Sequence, residues 1–223
     1  MKKIVNVILI LLVINNCALA QDENCVRKAT FGETEICLPK IEGYQESYTD
    51  PIIKQFADGT EVPTNMILGF YLNNQTYERR DSLGLISFDD FFKIYGTKQI
   101  KNLKADSSLL KKLQDLLTEN FPGELIKKEF DKIGLEIKIG APTIIKTYNL
   151  NANSFTCIML IKYELEGMKS HVTAMTINGL LLNEKLIWMA YLLNYNGEET
   201  ILRLQENSNA ILTKLLSING YYD

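Results

Sequence analysis

The sequence predicts an α+β fold, an antiparallel sheet meander flanked by helices as an α-β-α sandwich. Three observations carry that expectation. From Leu135 to Tyr195 the apolar pattern has period two and is broken only by short turns, which reads as consecutive antiparallel strands. The middle of the chain and its last twenty or so residues instead carry apolar residues at helical spacing. Strands and helices are thus grouped rather than alternating, and no repeat, low-complexity tract or linker divides them, so one domain is expected. The composition agrees. Of 223 residues, 46% are hydrophobic and 23% charged, with only 13 Gly and 5 Pro, which excludes disordered and collagen-like chains.

The first 20 residues stand apart from that domain. Lys2 and Lys3 precede an apolar run from Ile4 to Ile14 that is shorter than the roughly 20 residues needed to span a bilayer. Ala18-Leu19-Ala20 follows, a small-x-small pattern that predicts signal-peptidase cleavage between Ala20 and Gln21. Residues 1–20 therefore read as a signal peptide and 21–223 as a single exported domain, periplasmic or secreted. The alternatives are an uncleaved anchor or buried helix, or a lipoprotein acylated at Cys17, for which Asn15 and Asn16 stand where small residues are usual. Without Lys2 and Lys3, the 24 basic residues become 22 against 27 acidic ones, a net charge of −5. Such a balance does not favour nucleic acid or anionic lipid as a partner. A chain of this length buries about 70% of its unfolded surface, so neither cofactor nor metal is required to hold it.

Taken in order, the first expected element is a hairpin. Cys25 and Cys37 flank the turn Phe31-Gly32-Glu33, and Thr34 to Leu38 alternates apolar with polar up to Pro39. In an oxidising compartment a Cys25–Cys37 disulfide would add about 2–3 kcal/mol. Pairing of either cysteine with Cys157 is the alternative, and Cys157 also suits a buried free thiol inside the apolar run Phe155 to Ile161. Asp50-Pro51 has the form of a helix start, with Asp as N-cap and Pro at the first position, leading into Ile52 to Phe56. Asn65 to Leu72 is a dense, buried strand closed by Asn73-Asn74.

Ser87-Phe88-Asp89-Asp90 has capping-box spacing and predicts a short helix through Tyr95, ended by Gly96. Asp106 to Phe121 places Leu109, Leu110, Leu113, Leu116 and Leu117 on one helical face. A second amphipathic run, with Leu125, Ile126, Phe130 and Ile133, follows Pro122-Gly123 and stops at Gly134. Strands are then expected over Ile137–Ile139, Thr143–Leu150, Ser154–Leu165, Ser170–Leu182 and Lys185–Tyr195. The last two are linked by Asn183-Glu184, whose polarity also excludes a membrane span over Leu180 to Tyr195. Glu198 to Ser217 closes the chain as a helix, its first-turn acids complementing the dipole.

Chemistry is read mainly by exclusion. His171 is the only histidine, so His-rich zinc sites and an HExxH helix are out, and no GxSxG, P-loop or GxGxxG motif occurs. His171 lies beside Ser170 at a strand start, where neighbours point to opposite faces, which favours a strand-end histidine over a catalytic base. Asp89-Asp90 and Glu198-Glu199 have roles at helix N-termini, and Glu164 and Glu166 share one strand face. Any of these acids could supply a glycosidase-type pair, but the spacing singles out none. Arg79, Arg80, Lys98, Lys101 and Lys104 form a locally basic stretch that reads as a solvated face. Asn74-Gln75-Thr76 is read as a chance match to a glycosylation acceptor beside a bacterial-type signal. The 11 tyrosines, including Tyr221-Tyr222, would suit an interface, though several must be core residues.

Ile36-Cys37-Leu38-Pro39 followed by Gly43-Tyr44, then a strand, central helices, an antiparallel meander and a C-terminal helix ending Leu215-Leu216-Ser217-Ile218, resembles the PsbP-like group of photosystem II extrinsic proteins and exported bacterial relatives. The resemblance covers most of the domain in element order, and the central helical insertion departs from it. It implies an α-β-α sandwich and a non-enzymatic accessory role, and it carries over no catalytic residue. The expectation is thus an exported, non-catalytic binding or accessory protein of the bacterial envelope, with the immunity type as one version, whose partner is an unknown protein or small ligand. The alternative is an exported, metal-independent hydrolase using paired carboxylates.

Overall fold

A computed structural model describes residues 24–80, 89–119, 137–165 and 170–221. The expected signal peptide with its Ala20/Gln21 junction, Cys17, and the amphipathic run from Leu125 to Ile133 lie outside the described residues. The elements are β1 (Cys25–Phe31), β2 (Thr34–Pro39), β3 (Tyr44–Glu46), α1 (Pro51–Thr60), β4 (Asn65–Asn73), α2 (Asn74–Glu78), β5 (Asp90–Thr97), α3 (Ser107–Glu119), β6 (Ile137–Ile139), β7 (Thr143–Asn151), β8 (Ser154–Leu165), β9 (His171–Leu182), β10 (Lys185–Asn194) and α4 (Glu198–Ile218).

Eight strands form one antiparallel sheet in the order β3-β4-β5-β10-β9-β8, with β6 and β7 both pairing with β8. The α+β class and the flanking helices are as the periodicity predicts. Alternation splits each strand between two apolar layers. On one face Phe92, Ile94, Ile158, Leu180, Ile187, Met189 and Leu193 pack beneath α4, which contributes Leu204, Ile211, Leu212, Leu215 and Leu216. The β1–β2 hairpin lies on the same face, burying Phe31, Ile36 and Leu38 in that layer. On the other face α1 sets Ile53 and Ala57 against Ile67, Phe70 and Leu72, while α3 sets Leu110 against Phe155, Leu181 and Leu186. Each such side chain contributes on the order of 1.5–3 kcal/mol when fully buried.

Local chemistry accounts for the element ends. Asp50 Oδ1 accepts from the N–H groups of Ile52 and Ile53, at 3.0 and 3.3 Å, and Pro51 opens α1. Asn183 and Glu184, with φ of 50° and 60°, make the two-residue β9–β10 turn. Gly32 turns β1 into β2 at φ 65°, and a Cβ there would lie 2.2 Å from the Lys101 carbonyl oxygen, so two separate constraints select glycine. The Cys25–Cys37 disulfide forms, with Cα atoms 5.5 Å apart, and Cys157 is free and buried.

One expected element is corrected. Residues from Asp90 to Thr97 form a strand, not the helix predicted from Ser87 to Tyr95. Phe92 and Ile94 enter one apolar layer while Phe91 joins the other, and the segment pairs with β4 and β10 on both edges. Aromatic alternation in a central strand outweighs a capping-box spacing. The helix at Ile52 is longer than expected, reaching Thr60, and β3 and α2 are elements that the apolar pattern did not announce.

Candidate functional site

The β1–β2 hairpin and the strands β3 and β4 meet around a cavity of about 290 Å³ lined by Arg27, Pro39, Lys40, Ile41, Tyr44 and Tyr71 among others. β3 covers the outer edge of β4 from Tyr71 to Asn73, and just past it the Ser47 N–H donates to the Phe70 carbonyl oxygen at 2.7 Å. Side chains complete that edge. Arg27 Nη2 donates to the Leu68 carbonyl oxygen at 2.5 Å, and Glu46 Oε1 accepts from the Phe70 N–H at 3.2 Å. Arg27 and Glu46 also face each other in a two-pronged ion pair, Nε to Oε2 at 2.8 Å and Nη2 to Oε1 at 3.0 Å. The pair thereby stands in for a missing strand and closes an edge that would otherwise be open to another chain.

The floor beside this pair is aromatic. Tyr71 stacks on Phe92 at 4.3 Å between centroids, and Tyr44 meets Phe92 edge-on at 5.3 Å. Tyr71 donates to the Pro39 carbonyl oxygen at 2.9 Å, tying β2 to the sheet. Behind Tyr44 lies a polar cluster. Its hydroxyl donates to Asp90 Oδ1 at 2.6 Å and lies 2.8 Å from the Tyr191 hydroxyl, which in turn is 3.1 Å from the same carboxylate oxygen. Asn207 Nδ2, from α4, donates to the Tyr191 oxygen at 3.0 Å. Two phenolic protons thus serve three oxygens.

Electrostatics keeps both phenols neutral. Burial, followed by the neighbouring Tyr191 and the hydrogen bond to Asp90, pushes the Tyr44 hydroxyl far above the ordinary phenol range. Burial and the Asp90 charge push Tyr191 up to about 12. Near neutrality they are hydrogen-bond donors, not nucleophiles or bases. Glu46 is equally committed, accepting from Arg27 twice and from the N–H groups of Tyr48 and Phe70. These groups can hold a ligand in place, and none is poised for proton transfer.

The residues singled out by sequence are dispersed. Asp89 and Asp90 do not begin a helix. Asp90 opens β5 and turns to Tyr44 and Tyr191, and the Asp89 carbonyl oxygen accepts from Asn194 N–H. Glu198 and Glu199 occupy the first turn of α4, the expected dipole position. His171 starts β9, exposed, with its ring bonded to Asn194. Glu164 falls in β8, but its side chain and all of Glu166 lie outside the described residues. The basic stretch is divided: Arg80 pairs with Asp50, Lys98 donates to the Pro63 carbonyl oxygen and Lys104 pairs with Glu184. Among the described residues, no group of three or more His, Cys, Asp or Glu converges as a metal site, and no helix is long and apolar enough to cross a membrane. Arg27, Lys40 and Glu46 carry no motif, whereas Pro39 and Tyr44 belong to the quoted segments Ile36-Cys37-Leu38-Pro39 and Gly43-Tyr44.

No protein-family model matches the chain, and no curated protein is similar to it. Two solved structures are similar in shape. One is the Ran-binding protein Mog1p of Saccharomyces cerevisiae, 12% identical, covering 86% of this chain and 92% of that one with a TM-score of 0.39. The other is a point mutant of protein Mog1, 12% identical, covering 86% and 93% with a TM-score of 0.38.

Proposed function

We propose that the protein is an exported, non-catalytic binding or accessory protein whose partner is seated at the cavity between the β1–β2 hairpin and the β3–β4 edge. The observation that carries this reading is that the cavity is preformed, with Arg27 paired to Glu46 and Tyr44 held by Asp90. A pocket with fixed walls whose carboxylate and phenols are held in hydrogen bonds is suited to recognition rather than turnover. The Lys2/Lys3, Ile4–Ile14 and Ala18-Leu19-Ala20 pattern supports export. So does a disulfide in a hairpin that frames the cavity. The element order shared with the PsbP-like group points the same way.

The test is capture of partners from an envelope extract with the mature chain as bait, in parallel with a panel of hydrolase substrates. A stoichiometric partner lost on Tyr44→Ala, with no turnover, is the expected result. Turnover that depends on Asp90 or Glu198, with no partner retained, would instead establish the carboxylate hydrolase. Mass spectrometry of the mature chain checks export: an N-terminus at Gln21 is expected, and an acylated Cys17 or an intact Met1 would refute the cleavage.

A further inference from the structure

We infer that this cavity binds a carboxylate carried on a small apolar body. The inference rests on the binding reading above and adds the chemistry of the ligand. Its first support is charge. Arg27 and Lys40 both line the cavity, and Glu46 is the only acid that does. Glu46 is 6% exposed at its side chain, and among the described residues its carboxylate accepts from Arg27 and from two main-chain N–H groups. Arg27 and Lys40 against Glu46 leave one formal positive charge at the lining. Arg27 uses Nε and Nη2; its Nη1 has no acceptor among the described residues, and the side chain keeps 25% exposure. Lys40 is exposed and its ammonium has no acceptor among the described residues. The Lys40 ammonium and one guanidinium N–H group outside the Glu46 pair therefore border one small cavity.

The second support is shape. Ile41, Pro39 and the rings of Tyr44 and Tyr71 supply apolar walls, and the tyrosine rings are fixed by Phe92, the Pro39 carbonyl and Asp90. At about 290 Å³ the space suits a few heavy atoms of hydrocarbon beside a charged head. A carboxylate facing Arg27 Nη1 and Lys40 would place a short branched chain against Ile41 and Tyr71. The carboxylate can come from a free short-chain acid or from the C-terminus of a peptide, and the chemistry at the cavity is the same in both.

Amide NMR titration of the full mature chain tests this with isovalerate, a tripeptide ending in leucine, and the carboxamides of both. Shifts centred on residues 39–46 and affinity at least about tenfold higher for acid than for amide are expected. Whether isovalerate or the peptide binds more tightly then identifies the source. Lys40→Glu, at an exposed position, should weaken the acid by about tenfold and leave the amide unchanged. Arg27→Lys should weaken it too, with an unaltered far-ultraviolet spectrum as the check on folding. Equal binding of acid and amide, indifference to Lys40→Glu, or shifts centred elsewhere would overturn the inference. If a partner captured from envelope extract is retained equally by Lys40→Glu, the carboxylate assignment fails while the binding reading stands. If no partner is captured either, both fail.

Discussion

Tyr44 and Asp90, 46 residues apart on strands that do not pair with each other, meet through a hydrogen bond of 2.6 Å. The contact spans β4, so it fastens the edge strand β3 to the second strand inward and fixes the tyrosine ring that walls the cavity. Tyr44→Phe removes the hydroxyl and leaves Asp90 with Tyr191 alone. Chemical denaturation should show a loss of about 1–3 kcal/mol with an unchanged denaturant slope. Combined with Asp90→Ala, the double variant should lose about 0.5–3 kcal/mol less than the two single losses added. Strict additivity would mean that the contact carries no energy.

Alkaline pH should unfold the protein through the same cluster. Tyr191 is raised from 10.0 to about 12, first by burial and then by the Asp90 charge, and Tyr44 is raised further. A raised folded-state value means the unfolded chain ionises first. The stabilising contribution is complete below pH 10 and is lost progressively as pH climbs above it. Phenolate absorbance should therefore show the buried tyrosines appearing together with loss of structure. Titration of all tyrosines near pH 10 with the fold intact would contradict the burial of this cluster. Tyr44→Phe should reduce the late, cooperative fraction.

Most of the sheet was legible because apolar period two persists across β7 to β10, and the two-residue turn at Asn183-Glu184 marks where β9 ends. Where long-range packing decides the outcome, local signals misled. Ser87-Phe88-Asp89-Asp90 has helix-start spacing, yet Phe92 is buried and Phe91 partly buried on opposite faces of a strand paired on both edges. The cavity was not legible at all. Arg27 lies 19 residues from Glu46 and 41 from Leu68, and its role depends on β3 being too short to cover β4. A three-residue strand has no period to read. The Cys25–Cys37 pair was legible because both cysteines flank one turn, so that bringing them together needed only a hairpin.

A buried amide joins the sheet to the C-terminal helix, and its loss should be costly. Asn178 Nδ2 donates to Thr176 Oγ1 and to the Met189 carbonyl oxygen, both at 3.0 Å, while Oδ1 accepts from Thr156 and Ser208 at 2.8 and 3.2 Å. Thr156, Thr176, Asn178 and Ser208 are all buried. Asn178→Ala strips a partner from each of these groups and leaves a small void, for about 2–4 kcal/mol in denaturant unfolding. Asn178→Asp should destabilise as well, because Met189 and Thr176 then meet an acceptor in place of a donor and a charge is buried. If Asn178→Ala costs under about 0.5 kcal/mol, the size of an ordinary surface change, the network is not stabilising.

The disulfide should matter through the hairpin. Cys25 and Cys37 are 12 residues apart and close β1 onto β2, while Asn219 holds the Cys37 backbone from the far end of α4, donating to its carbonyl oxygen and accepting from its N–H, both at 2.9 Å. The sheet-side contacts of Phe31, Ile36 and Leu38 remain when the bond is cut, so Cys25→Ser with Cys37→Ser should fold but lose about 2–3 kcal/mol. Thiol labelling gives the direct check. In the native oxidised chain Cys157 is buried and burial pushes its thiol up, so it should resist alkylation. Denaturation without reductant should expose one thiol among Cys25, Cys37 and Cys157, and reduction should expose all three. Two or more of these reacting before reduction would show that Cys25 and Cys37 are not bridged. Because Arg27, Pro39 and Lys40 reach the cavity from this hairpin, the double serine variant should also bind isovalerate more weakly than the parent while the sheet core stays folded.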